Sequence, residues 1–197
     1  VRGYSGTDIR IDGDNPDMQR EHDTAPIHIR CNGDCQIKMP DASPVIIHQV
    51  DGDAKITNLE SRSDIELVSG DLIARHVGET IIGNVSGDCI AKYISDDLTV
   101  KNVNGDMVAQ NVEGDMTIDN VDGDLQVREV SGSCACLNVN GDLEAVVNFQ
   151  EGNTYQFSSQ GTIMFGITPE VNAIFIVPKD VNISVDSNLS DVDLSIE

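Results

Sequence analysis

An aliphatic residue returns along this chain at Val50, Leu59, Val68, Val77, Val85, Ile94, Val103, Val112, Val121, Val130 and Val139. Every step is nine residues except one of eight. Self-similarity at a fixed short period signals a repeat fold in which each unit leans on its neighbours. Between anchors the pattern reads Val-x-Gly-Asp-apolar-x-apolar-x-Asn, with apolar residues two apart, as in Met107/Ala109, Met116/Ile118 and Leu125/Val127. That alternation predicts a strand with one buried face. The Gly-Asp pair supplies the turn, glycine being expected to take positive φ and aspartate to bond nearby backbone N–H groups. A strand plus a turn cannot bury its own apolar side, so it must stack on copies of itself.

Comparing alternate repeats sets the length of a coil. The sixth residue after the anchor, or the fifth across the shortened step, is small in one series, at Ala74, Ala91, Ala109 and Ala145, and bulky in the other, at Ile65, Ile82, Val100 and Ile118. Gly-Asp follows every anchor of the first series, ending in Asp53, Asp71, Asp88, Asp106, Asp124 and Asp142, but only one of the second, at Gly114-Asp115. Asn84, Asn102, Asn120 and Asn138 also recur every 18 residues. The predicted fold is an all-β, single-domain β-solenoid of about 18 residues per coil, built from paired nonapeptides, with small and bulky residues filling the layer between two faces. Stacked Asn84, Asn102, Asn120 and Asn138 are expected to form an amide ladder from coil to coil.

The regular solenoid is expected over 50–148, between irregular N-terminal coils over 1–49 and a C-terminal cap over 149–197. Upstream, Cys31-Asn32-Gly33-Asp34-Cys35 fits the register and is read as the start of the stack. Asp8–Ile11, Ile27–Arg30 and Val45–Val50 read as earlier, less regular strands. Residues 12–25 read as a polar loop, and Pro40 and Pro44 bracket a turn. Beyond Val139 alternation continues in Thr154–Phe157, Ile163–Ile167, Ala173–Val177, Val181–Val185 and Val192–Ile196. All four phenylalanines, 149, 157, 165 and 175, lie there, as a terminal cap or a subunit interface requires.

Composition narrows the function classes. Twelve Lys plus Arg against 34 Asp plus Glu leave a net charge of −22, which repels phosphate backbones and anionic lipid, so neither nucleic acid nor membrane surface is an expected partner. No apolar run is long enough to span a bilayer. The chain opens on Val1, as expected of a mature product or an excised domain whose targeting segment is missing.

Three sets of side chains could carry chemistry. The Asp column, with Asp88, Asp106 and Asp124 at its centre, either caps turns or binds cations such as Ca²⁺, since neighbouring coils about 4.8 Å apart bring like charges together. Calcium-binding nonapeptide rolls share the period but not the Gly-Gly-x-Gly-x-Asp pattern, and Asp12-Gly13-Asp14-Asn15-Pro16-Asp17 lacks calcium-loop spacing. Cys31, Cys35, Cys89, Cys134 and Cys136 fall on inward positions and read as small hydrophobes, with a Cys31–Cys35 bridge left open. His22, His28, His48 and His76 are scattered, with no nucleophile beside them, so no triad is indicated and no enzyme is expected. Arg75, Lys92 and Arg128 share an outward column and are expected to balance local acid charge. Ile73, Ile90 and Val108 form an apolar outward column, the expected interaction stripe, covered by the chain's own ends or by another subunit.

With Val68-Ser69-Gly70-Asp71 and Val85-Ser86-Gly87-Asp88 laid out, the chain resembles a bacterial adhesin-like domain family of unassigned function that carries the same Val-Ser-Gly-Asp phrase. The resemblance covers roughly residues 30–148, and the lead-in Ile37-Lys38-Met39-Pro40 shares it. It implies a noncatalytic domain, often extracytoplasmic and exposed at the cell envelope, with no catalytic residues to carry over. Bactofilins, which polymerise end to end from a β-solenoid, are the rival comparison and imply a filament-forming protein. They lack the Gly-Asp phrase.

Overall fold

The computed structural model describes residues 7–10, 26–38, 44–166, 175–177 and 194–196. In chain order the strands are β1 (Thr7–Arg10), β2 (Ile27–Cys31), β3 (Cys35–Lys38), β4 (Val45–Val50), β5 (Ala54–Leu59), β6 (Ser63–Val68), β7 (Leu72–Val77), β8 (Thr80–Val85), β9 (Cys89–Ile94) and β10 (Leu98–Val103). They continue as β11 (Met107–Val112), β12 (Met116–Val121), β13 (Leu125–Val130), β14 (Cys134–Val139), β15 (Leu143–Val146), β16 (Tyr155–Ser159), β17 (Ile163–Gly166), β18 (Phe175–Val177) and β19 (Leu194–Ile196). The 12–25 loop, Asp12–Asp17, His22, Pro40 and the Val181–Val185 strand lie outside the described residues.

The odd strands β1 to β17 form one nine-stranded parallel sheet and the even strands β2 to β16 an eight-stranded one, so the chain alternates between two faces at every nonapeptide. Each strand pairs with the strand one coil away: Met107 sits on Leu125 and Leu98 on Met116, the predicted repeat of 18. The stack opens earlier than Cys31, because β1 already pairs with β3 and β2 with β4. β18 and β19 make a separate parallel pair.

In the regular coils the inward positions are the first, third and sixth of each strand, as in Leu98, Val100 and Val103, and they join in one continuous apolar core. Burying a full side chain of this size contributes about 1.5–3 kcal/mol, which makes this layer the dominant source of cohesion. The eight-residue step at Val77–Val85 shortens a turn, not a strand. Gly78 and Glu79 alone connect β7 to β8, and the buried Thr80 hydroxyl donates to Gly78 O at 3.0 Å. Ser63 and Thr80, the two buried polar residues among those described, also bond each other at 3.1 Å, so neither hydroxyl is orphaned.

The C-terminal coils are continuations of both sheets, with rings in place of aliphatics. Phe149, Tyr155, Phe157 and Ile163 pack on the core, and Phe157 meets Phe165 edge-on at 4.9 Å. Rings thus stand beside the aliphatic core in the last described coils. No helix among the described residues is long and apolar enough to cross a membrane.

Candidate functional site

Each Asp of the main column closes the turn of the next coil. Asp88 N–H donates to Asp71 Oδ1 at 2.9 Å, Asp106 N–H to Asp88 Oδ1 at 2.9 Å, Asp124 N–H to Asp106 Oδ1 at 2.8 Å and Asp142 N–H to Asp124 Oδ1 at 2.8 Å. A shorter second column does the same, from Asp97 to Asp115 and from Asp115 to Ser133. Asp88, Asp106 and Asp124 thus each hold a backbone N–H through one carboxylate oxygen. Among the described residues no group of three or more His, Cys, Asp or Glu is arranged to hold a metal.

The role expected of the turn glycines is corrected. Positive φ among described glycines occurs only at Gly33, in the first Gly-Asp turn, and at Gly152, and at none of the turn glycines of the regular coils over 50–148. What excludes a side chain is proximity: a Cβ on Gly105 would lie 2.8 Å from the Gly87 carbonyl and closer still to Asp88 Oδ1. Glycine lets one turn settle onto the carboxylate that caps it.

Positive φ falls elsewhere, on Asn58, His76, Tyr93, Asn111 and Glu129, the fifth residue of β5, β7, β9, β11 and β13. Left-handed backbone at non-glycine residues costs of order 1–3 kcal/mol each and persists only where surrounding structure enforces it. Here paired strands and buried sixth residues do so. The same column borders a groove of about 620 Å³. His76 and Tyr93 rings lie face to face at 4.6 Å and 3°, Asn111 Nδ2 donates to Glu129 Oε2, and Tyr93 remains 48% exposed. Glu60 and Glu113 also line the groove, and no Lys or Arg does. Asn111 Oδ1 is the single buried side-chain polar atom among the described residues that lacks a partner. Sequence reading missed this column, because Asn, His, Tyr, Asn and Glu share no motif. The available signal was contrast: the other series keeps Asn at its fifth position while this one varies.

The predicted Asn ladder forms in the other sheet. Asn102 Nδ2 donates to Asn84 Oδ1 at 2.8 Å, Asn120 to Asn102 at 2.9 Å and Asn138 to Asn120 at 3.1 Å. Ile73, Ile90 and Val108 pair in register as half-buried outward residues, bounded in that column by Lys55 and Gln126. In the basic column, Arg128 meets Glu144 at 3.1 Å. The Gln126 hydrogen bond, followed by the Arg128 charge, holds the Glu144 carboxyl below its ordinary range.

Two histidines read as scattered are joined. His28 Nδ1 lies 2.8 Å from His48 Nε2, and His48 Nδ1 lies 2.9 Å from Glu66 Oε2. The ring centroids are 5.1 Å apart in nearly one plane, so the imidazoles meet edge to edge. The cysteines divide: Cys31 and Cys35 form a disulfide, which replaces the free-hydrophobe reading for that pair, while Cys89, Cys134 and Cys136 stay buried and free. Burial pushes the Cys89 thiol up to about 12, and a hydrogen bond with Cys134, then burial, raises Cys136. Such thiols are poor nucleophiles.

Fold and ladders together define a two-sheeted parallel β-solenoid whose recurrent polar residues bond from coil to coil. No protein-family model, no curated protein and no solved structure matches the chain.

Proposed function

We propose that this protein is a noncatalytic scaffold or adhesion-like contact module exposed at the bacterial cell surface, outside the cytoplasm. One observation carries the reading. The polar side chains that recur with the repeat form like-with-like ladders from coil to coil, whereas the unlike residues His76, Tyr93, Asn111 and Glu129, which pair as one ring stack and one hydrogen bond, gather around an edge groove. A rigid frame holding variable side chains on one edge suits recognition more than turnover. The test has two arms. Surface labelling of intact cells should reach the native protein, and beads coated with it should adhere to envelope preparations. Protein confined to the cytosolic fraction, together with inert beads, sinks the proposal.

A second reading, self-assembly into filaments, is favoured by Met164 and Phe165, which are 56% and 36% exposed on β17, the outermost described strand of its sheet. Such an edge is where a second copy would add. Light scattering that reports a monomer at every concentration removes this reading.

A further inference from the structure

We propose that the groove along the Tyr93 edge receives the guanidinium of an arginine presented by a basic segment of a partner protein. This deepens the contact-module reading and rests on it. Four peculiarities meet here: a column of left-handed non-glycine residues, a buried Asn111 side-chain oxygen that alone among the described residues lacks a partner, a half-exposed aromatic ring, and a groove. Strained backbone and unmet polar groups persist in folded chains chiefly where a site uses them.

The chemistry of the groove selects its occupant. His76 covers one face of Tyr93, and Asn111 and Glu129 follow at the same strand position of the next two coils. Asn is shorter than Tyr, so a flat group can lie over the outer part of the ring at the level of Asn111. The carboxylates of Glu113 and Glu129 line that part of the groove as acceptors. Guanidinium is planar, permanently positive, carries five N–H donors and no acceptor, and stacks on aromatic rings. An ammonium matches the charge but not the plane. A neutral sugar brings as many acceptors as donors and leaves the carboxylates unpaired. Phosphate is repelled. The net charge of −22 draws a basic segment in from a distance.

Calorimetry on the intact protein tests this with capped Gly-Arg-Gly-Arg-Gly and its lysine and citrulline counterparts. The arginine peptide should bind about tenfold tighter than the lysine peptide, and the citrulline peptide should give no heat. Tyr93→Asn, chosen because asparagine tolerates left-handed backbone, should weaken arginine binding about tenfold while leaving Tm intact. Glu129→Gln should weaken it several-fold. Equal affinity for arginine and lysine peptides, or a Tyr93→Asn variant that binds as well as the parent, overturns the proposal in favour of bulk charge attraction. Binding of a neutral oligosaccharide that Tyr93→Asn abolishes overturns it in favour of a glycan. If the arginine peptide fails while coated beads still adhere, the groove assignment falls and the contact module stands. If the peptide binds and the beads are inert, the surface-contact reading is the one that falls.

Discussion

The two sheets are built from one nonapeptide and share their inward positions, yet they differ at a single residue per strand. In the even sheet the fifth residue pairs in register, as Asn102 does with Asn120, and its amide bonds the next coil. In the odd sheet the fourth residue pairs instead, Gln110 with Arg128, and the fifth turns left-handed. One edge therefore joins its coils through a ladder of identical side chains, and the other holds its backbone in a costly conformation and joins its coils through unlike pairs, His76 on Tyr93 and Asn111 with Glu129. One repeat can thus give its two edges different surfaces without adding a loop.

The comparison can be broken, beginning with what both sheets need. Gly105→Ala places a methyl against the Gly87 backbone and Asp88 Oδ1, and should lower unfolding stability by about 2–4 kcal/mol in urea titration. A loss below that of a surface alanine would show that the turns are not tightly seated. Asp106→Ala leaves Asp124 N–H unpaired and should cost about 1–3 kcal/mol, whereas Asp106→Asn keeps the acceptor and should be nearly neutral. If both cost the same, charge matters more than the cap. Millimolar calcium should leave the Tm of the parent unchanged, since among the described residues no three acidic side chains are arranged to share an ion; a rise would restore the cation reading of Asp88, Asp106 and Asp124.

Alkali probes the core beneath both faces. The Cys89 thiol ionises near 9 when unfolded but only at about 12 when folded, so its contribution is complete below 9 and is lost as pH climbs toward 12. By pH 10 about 1 kcal/mol should have gone, and Cys89→Ala should abolish that slope. The smallest effects separate the edges. Asn120→Ala should cost about 1 kcal/mol, while Glu129→Gly, which relieves positive φ but removes the acceptor of Asn111 Nδ2, should change stability by less than about 1 kcal/mol. A loss well above that would mean that relief of the left-handed backbone does not offset the lost hydrogen bond.

Legibility followed the same division. Coil length, inward positions and the Asn ladder could be read because each rests on a residue that recurs at 18, and recurrence is what stacking demands. The turn glycines were placed correctly for the wrong reason, since composition cannot separate a need for positive φ from a need for close approach. His48 and Glu66 stand 18 apart and could have been paired from the repeat, but His28 lies 20 residues from His48, across a register shift between β2 and β4 that no local pattern announces. The Tyr93 groove escaped because its lining residues differ from coil to coil and so leave no recurrent signal.

The aspartate caps run one way, each coil completing the turn of the one that follows, and this gives the rod a polarity. In the main column the last carboxylate, Asp142, receives Thr162 N–H, and in the shorter column Asp115 receives Ser133 N–H. There the Ser133 hydroxyl takes over the role, receiving Thr154 N–H at 3.3 Å as the even sheet runs on into β16. Damage to one cap therefore loosens the coil after it and spares the coil before, so a rod of identical turns has a leading and a trailing direction.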